Sequence, residues 1–188
     1  ALGTVQDGDG QLWGRNSVSQ NIRLRPPAET DSDLLFEWIN DRELVLFNAP
    51  YRPIPRAEHD TWFKHIRDRT DLAFFMIDDI AAGAAIGSCQ LLNIHPVHRS
   101  ADLQIRIGVA GSQNRGAGTA AVHQLVELGF GELQLHRIAL HAFATNPRAI
   151  RVYEKNGFVR EGLLRQAACI DGRWLDVICM ARVRGLDD

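Results

Sequence analysis

With 188 residues, 45% of them apolar, the chain has the length and apolar content of one folded domain with a substantial core, which excludes a disordered, tail-like protein. Its net charge is −2 and its Lys and Arg are scattered rather than clustered, so the basic footprint of a phosphate-backbone binder is missing and nucleic acid is not an expected partner. No apolar run approaches the roughly 18 to 20 residues of a membrane-spanning helix, no signal-peptide pattern opens the chain, and Cys89, Cys169 and Cys179 form no CxxC pair, so the expectation is a soluble cytoplasmic protein with no membrane partner.

Residues 1–20, rich in Gly, Gln, Asp and Ser, show at most a weak hairpin around Asp7-Gly8-Asp9-Gly10 and are read as an extension to a domain spanning 21–188. IRLRP opens that domain as a short strand stopped by Pro26 and Pro27. Thr30 or Asp31 then caps an amphipathic helix carrying Leu34, Leu35, Trp38 and Ile39 at helical spacing. Beyond the proline-broken loop NAPYRPIP, a second helix puts Trp62, Phe63 and Ile66 on one face, with the Trp62-Phe63 pair expected in the core. LAFFMI, AAIGSCQLLNI and LQIRIGV read as an antiparallel meander, in which Leu103, Ile105 and Ile107 alternate with Asp102, Gln104 and Arg106. A helix with Val122, Leu125 and Val126 follows, then the strand RIALHAFA, then a helix from the cap Asn146-Pro147 to the stop Asn156-Gly157. The end of the chain is two strands joined at Asp171-Gly172. The order βααβββαβαββ predicts an α/β (α+β) fold, with one mixed, mostly antiparallel sheet flanked by about four helices.

The junction Gln113-Asn114-Arg115-Gly116-Ala117-Gly118 lies where a strand hands over to a helix. Residues without a Cβ let successive backbone N–H groups point into one concavity, the helix start adds partial positive charge, and no acidic side chain is present to repel an anion. Two readings stand side by side: a phosphate site reinforced by Arg115, and a tight turn with no ligand. Gly116-Ala117-Gly118-Thr119-Ala120-Ala121 also satisfies the dinucleotide pattern G-x-G-x-x-A, but the ribose-binding acid is missing from the next strand, which ends in AFATN. His95-Pro96-Val97-His98 lacks the further ligands a zinc site needs and reads as a loop, so no metal is expected.

Gln113-x-x-Gly116-x-Gly118, followed by NPRAIRVYEKNGF at 146–158, resembles the GNAT acetyltransferases, and the resemblance covers essentially 21–184 in element order. FVREGLLR and IDGRWLDVICM are similar to the branch containing ribosomal-protein N-terminal, spermidine and amino-sugar acetyltransferases. The resemblance implies an acetyl-CoA-dependent N-acetyltransferase with a twisted sheet, whose glycine loop, together with Thr119, holds the pyrophosphate of acetyl-CoA. It also implies that Tyr153 is the general acid for the leaving thiolate, that Asn146 meets the pantetheine amides besides capping its helix, and that Asp102 is a base acting through water. Read from the residues alone, Tyr153 is a half-buried helix aromatic beside Ala149 and Ile150, and Asp102 a solvated strand-end acid opposite Arg99 or Arg106.

On the acceptor side, Glu58 and His59 are candidate substrate contacts, and Arg52 or Arg56 is expected to meet an anionic group. HPVHRSADLQIRI resembles spermidine acetyltransferases, yet FNAPYRPIPRAEH is neutral to basic where a polycation needs acidic walls; EHDTWF with EWINDRE resembles amino-sugar nucleotide acetyltransferases. The expected partner is a small-molecule amine or a protein N-terminus, the acceptor being neutral or anionic overall, and a homodimer is admitted. The other functional class is a degenerate domain that binds coenzyme A as a sensor or assembly module. Tyr153 argues against it, because a pure binder needs the loop but not the acid.

Overall fold

The computed structural model describes residues 21–66, 68–109 and 116–185. The extension 1–20 and the expectations placed on Gln113, Asn114 and Arg115 therefore lie outside the described residues. Seven strands, β1 (Ile22–Arg25), β2 (Leu72–Asp79), β3 (Ala84–His95), β4 (Ser100–Ile107), β5 (Arg137–Phe143), β6 (Val159–Ile170) and β7 (Arg173–Val183), form one sheet in the order β1-β2-β3-β4-β5-β7-β6. Every neighbouring pair is antiparallel except β4 with β5, so the sheet is mixed and mostly antiparallel, as the sequence pattern implies.

Alternation along the strands supplies two cores. Helix α4 (Ala117–Gly131) buries Ala120, Ala121, Val122, Leu125 and Val126 against one sheet face, on Ile77, Leu91, Leu103, Ile138 and Leu140. Each large apolar side chain buried there contributes about 1.5–3 kcal/mol. On the other face, α1 (Ser32–Asn40), α2 (Arg42–Leu46) and α3 (Arg56–His65) pack Leu35, Trp38, Leu44, Phe63 and Ile66 around Met76. Met76 and Ile77 belong to different cores because successive strand residues point to opposite faces. Arg25 ties β1 to the start of α1: its guanidinium donates to Asp31 at 2.6 and 2.8 Å and to Asp78 at 2.9 Å, while Asp31 also accepts from the Ala28 N–H at 2.7 Å.

The described residues hold five α-helices, counting α5 (Pro147–Lys155), rather than about four. The extra one is α2, separated from α1 by Asp41, whose extended backbone breaks the helix while its carboxylate accepts from the Leu44 N–H at 3.2 Å and caps the next. No proline or glycine marks this break in the sequence. The β6–β7 turn is as expected, with Asp171 at φ 50° and Gly172 at φ 74°, the left-handed pair that a two-residue hairpin requires.

The feature that positions the site is where β4 and β5 part. They pair only through Ser100–Asp102 against Arg137–Ala139. Beyond that point Leu103–Ile107 of β4 keep their β3 partners and Leu140–Phe143 of β5 their β7 partners, so the two facing edges diverge with their hydrogen-bonding groups turned toward the cleft.

Candidate active site

Two cavities meet at this split. The larger, about 640 Å³, lies between the α1 and α3 side and the polar face of β3 and β4; the smaller, about 340 Å³, runs from the start of α4 along α5. Arg106, Asn146, Ala149 and Tyr153 line both, and so mark the passage between them.

The smaller cavity begins at the glycines. Gly116 precedes α4 at φ 82°, a conformation that disfavours any residue with a Cβ, and Gly118 and Thr119 border the cavity in the first turn. Ala117 turns its side chain into the core instead, so only its backbone can face a ligand. The first turn of α4 contains no acid. Along α5, Arg148, Arg151 and Lys155 recur at helical spacing on the same cavity, and among the described residues no carboxylate lines it. Four cations and a helix N-terminus on one cavity suit a polyanion. The α5 cations are not among the candidates the sequence motifs single out, although their i, i+3, i+7 spacing is visible in NPRAIRVYEK.

Tyr153 is 5% exposed, its ring edge-on to Phe158 at 6.0 Å. Its hydroxyl has no hydrogen-bond partner among the described residues, and burial pushes the phenol up to about 12. It is therefore a protonated donor at neutral pH with its hydrogen uncommitted. Asn146 caps α5 through its Oδ1, which accepts from the Ala149 N–H at 3.1 Å, so the cap stands at the passage. At the far end of α5, Asn156 Nδ2 donates to the Val152 carbonyl at 2.8 Å and the Thr119 carbonyl at 3.2 Å, which fixes the tyrosine's helix to the start of α4.

The larger cavity receives Asp102, whose Oδ2 accepts from Asn93 Nδ2 at 2.8 Å, an amide partner in place of Arg99 or Arg106. Glu58 and His59 also line it. His59 is buried, and its Nε2 lies 2.8 Å from the Ser32 carbonyl oxygen, which only accepts, so that nitrogen carries the proton. Arg52 stands outside both linings, 65% exposed and ion-paired to Glu58, and its guanidinium holds the Glu58 carboxyl below the usual carboxylate range. Arg56 is paired with Asp33 at 2.6 Å and Asp60 at 2.8 Å. Arg52 and Arg56, one or the other of which the sequence offers to an anionic group, are thus both ion-paired with carboxylates of the chain.

The Trp62-Phe63 pair does not share the core. Phe63 is buried, but Trp62 is 38% exposed, edge-on to Phe74 at 5.7 Å, and forms part of the larger cavity's wall. Neighbours in a helix point about 100° apart, so one ring faces the sheet and the other the cavity. His95 and His98 stack at 4.2 Å, with the His98 N–H donating to His95 Nδ1 at 3.1 Å, an arrangement of a turn.

Residues 21–159 match the family described as an acetyltransferase (GNAT) domain. Spermidine N(1)-acetyltransferase of Vibrio cholerae is 32% identical over 162 residues, covering 85% of this chain and 91% of the relative. A putative ribosomal N-acetyltransferase of Bacillus subtilis is 31% identical over 166 residues, covering 86% and 90%. Among solved structures, spermidine N-acetyltransferase from Vibrio cholerae in complex with CoA and spermine matches with a TM-score of 0.79 at 31% identity, covering 88% of this chain and 97% of that one.

Proposed function

The chain belongs to the GNAT acetyltransferase family and is an acetyl-CoA-dependent N-acetyltransferase, and we propose that it acetylates a small primary amine by direct attack, with Tyr153 as general acid and Asp102 as base. The observation that carries this reading is the pair of joined cavities, one lined among the described residues by four cations and no carboxylate, the other by Asp102, with the Tyr153 hydroxyl, uncommitted among the described residues, at the passage.

Acetyl-CoA supplies the acetyl group as a thioester and departs as the thiol. Gly116, Gly118, Thr119 and the α5 cations would hold its phosphates, and the unpaired edges of β4 and β5 offer donors and acceptors to its two amides. The acceptor amine must be neutral to attack. For an ordinary amine pKa near 10.4, removing its proton at pH 7 costs about 4–5 kcal/mol. Asp102 takes that proton through a water, held in orientation by Asn93. As the new N–C bond forms and the C–S bond breaks, Tyr153 gives its phenolic proton to the leaving sulfur.

Spermidine, named for the Vibrio cholerae relative, heads the amines to be tested, beside an amino-sugar nucleotide and a short peptide with a free N-terminus. Gly118→Asp tests the loop assignment. A Cβ there meets only Ile107 Cγ1 at 4.0 Å, and an acid in the first turn favours the helix, so the variant keeps its fold. A negative charge near the phosphates weakens CoA roughly ten- to thousand-fold in calorimetry. Unchanged affinity would show that the cofactor lies elsewhere. Binding of CoA without thiol release from any amine would favour the non-catalytic binder.

A further inference from the structure

Asp102, Gln104 and Arg106 share one face of β4, and the first two are answered from β3, Asp102 by Asn93 and Gln104 by Gln90 at 2.7 Å. Arg106 is not. Its cross-strand neighbour is Ser88, its Nε is buried without a hydrogen bond, and no carboxylate of the described residues pairs with it. Arg69, the other arginine on the larger cavity, is paired with Asp71 at 2.7 Å. Burial pulls the Arg106 guanidinium below its ordinary value, yet arginine does not lose its proton in proteins, so a partly buried charge with no carboxylate partner among the described residues borders both cavities.

Its place narrows what would compensate it. The α5 cations border only the smaller cavity, whereas Arg106 reaches both and stands with Tyr153 at the passage, where the proposed transfer would take place. The α5 cations already answer the cofactor's phosphates in the reading above and a thioester is uncharged, which leaves the acceptor as the source of a counter-charge for Arg106 on the larger cavity. The same cation disfavours a protonated amine beside it, which helps the nucleophile lose its proton and opposes a multiply charged polyamine. The larger cavity's charged lining is balanced, Asp102 and Glu58 against Arg69 and Arg106, with Glu58 already engaged by Arg52. At about 640 Å³ it has the size of a small-molecule site. We propose that the acceptor is a small primary amine that also carries an anionic group, a carboxylate or a phosphate, which Arg106 binds as a forked pair. This rests on the acetyl-transfer reading above.

The test uses matched pairs that differ only in the anion: β-alanine with β-alaninamide, L-methionine with L-methioninamide, and O-phosphoethanolamine with ethanolamine, alongside spermidine. Thiol release gives kcat/KM for each at low salt, and calorimetry measures their binding to the CoA-saturated protein. In at least one pair the anionic member is favoured about tenfold or more, and the carboxylate and phosphate arms tell which anion it is. In Arg106→Met that ratio falls to within about twofold of unity, mainly through KM. Arg106→Lys restores it only in part, because an ammonium cannot make the fork. Melting of both variants checks the fold, which Met should keep, since it removes an unpaired buried charge.

Absence of anionic preference in every pair, or spermidine binding and turning over best, overturns the proposal, as does a preference that survives in Arg106→Met. A uniform kcat loss for all acceptors in the variant also overturns it, by assigning Arg106 to the transition state. Failure to bind CoA, or to acetylate any amine, would instead strike the acetyl-transfer reading itself.

Discussion

Tyr153→Phe separates the chemistry of this site from its architecture. The ring is 5% exposed and packed on Phe158, and Phe keeps those contacts. The hydroxyl has no protein partner among the described residues, so its removal leaves no orphaned donor or acceptor behind, and stability near pH 7 changes by less than about 1 kcal/mol. Turnover should fall roughly ten- to ten-thousand-fold, the range of general acid catalysis. A coenzyme A thiol resembling cysteine, with a pKa near 8.5, is already a fair leaving group, which places the loss toward the lower end.

The pH dependence gives a second reading of the same group. With the folded-state pKa at about 12 against an ordinary value near 10, the acid stays loaded up to pH 10, and its loss contributes no alkaline limb to kcat below about pH 11. The folded pKa is the raised one, so the stabilisation is complete below pH 10 and is lost as pH rises from 10 through 12. Wild type should lose roughly 3 kcal/mol relative to Tyr153→Phe across that window in urea titrations. The assay is thiol release at saturating acetyl-CoA and acceptor, under conditions where added sucrose leaves the rate unchanged and chemistry is limiting. Equal kcat for the two proteins would refute Tyr153 as the acid.

Asp31→Asn should cost about 1–3 kcal/mol in urea unfolding, because it discharges the partly buried partner of Arg25. The Arg25 hydrogen bonds hold the Asp31 carboxyl below the usual range, so its contribution is present above about pH 4 and lost as pH falls through the folded pKa; a variant with the same acid profile as wild type would dismiss the pair. Maleimide at neutral pH should modify exposed Cys169 in the native protein and reach Cys89 only after unfolding, since Cys89 is buried and burial pushes its thiol up; native labelling of Cys89 would contradict that packing.

What the sequence made legible is what neighbours in the chain decide. Asn146-Pro147 starts α5 and Gly157, at φ 76°, ends it, because capping is satisfied within a turn of the chain. The alternation of Asp102, Gln104 and Arg106 with Leu103, Ile105 and Ile107 separates the two faces of β4 for the same reason. Distant partners decided the rest. Arg56 opens α3 four residues before Asp60, an i, i+4 spacing that is legible, but nothing local reveals that Asp33 of α1 also takes its charge or that the proline-rich loop folds Arg52 back onto Glu58. Trp62 and Phe63 are equally apolar, and only the packing of α3 on the sheet turns one inward and the other to the cavity. Asp41 interrupts a helix with no glycine or proline to announce it, because one carboxylate serves as the cap of the next.

Charge shows the same division most clearly. A net charge of −2 with scattered basic residues argues against a polyanion partner when the chain is read end to end, and for nucleic acid that argument is about a continuous surface. A cofactor with a few phosphates needs only one local excess, and the proposed site supplies it where Arg106 of β4 and Arg148, Arg151 and Lys155 of α5 line one cavity that no carboxylate of the described residues lines. The larger cavity is built differently, with acids and bases in equal number and most of them already engaged. On the reading proposed above, the zoning of side chains at one strand split separates a polyanionic cofactor from a less charged acceptor, and Arg106, which borders both cavities and has no carboxylate partner among the described residues, is where the two ligands would come under a single charge.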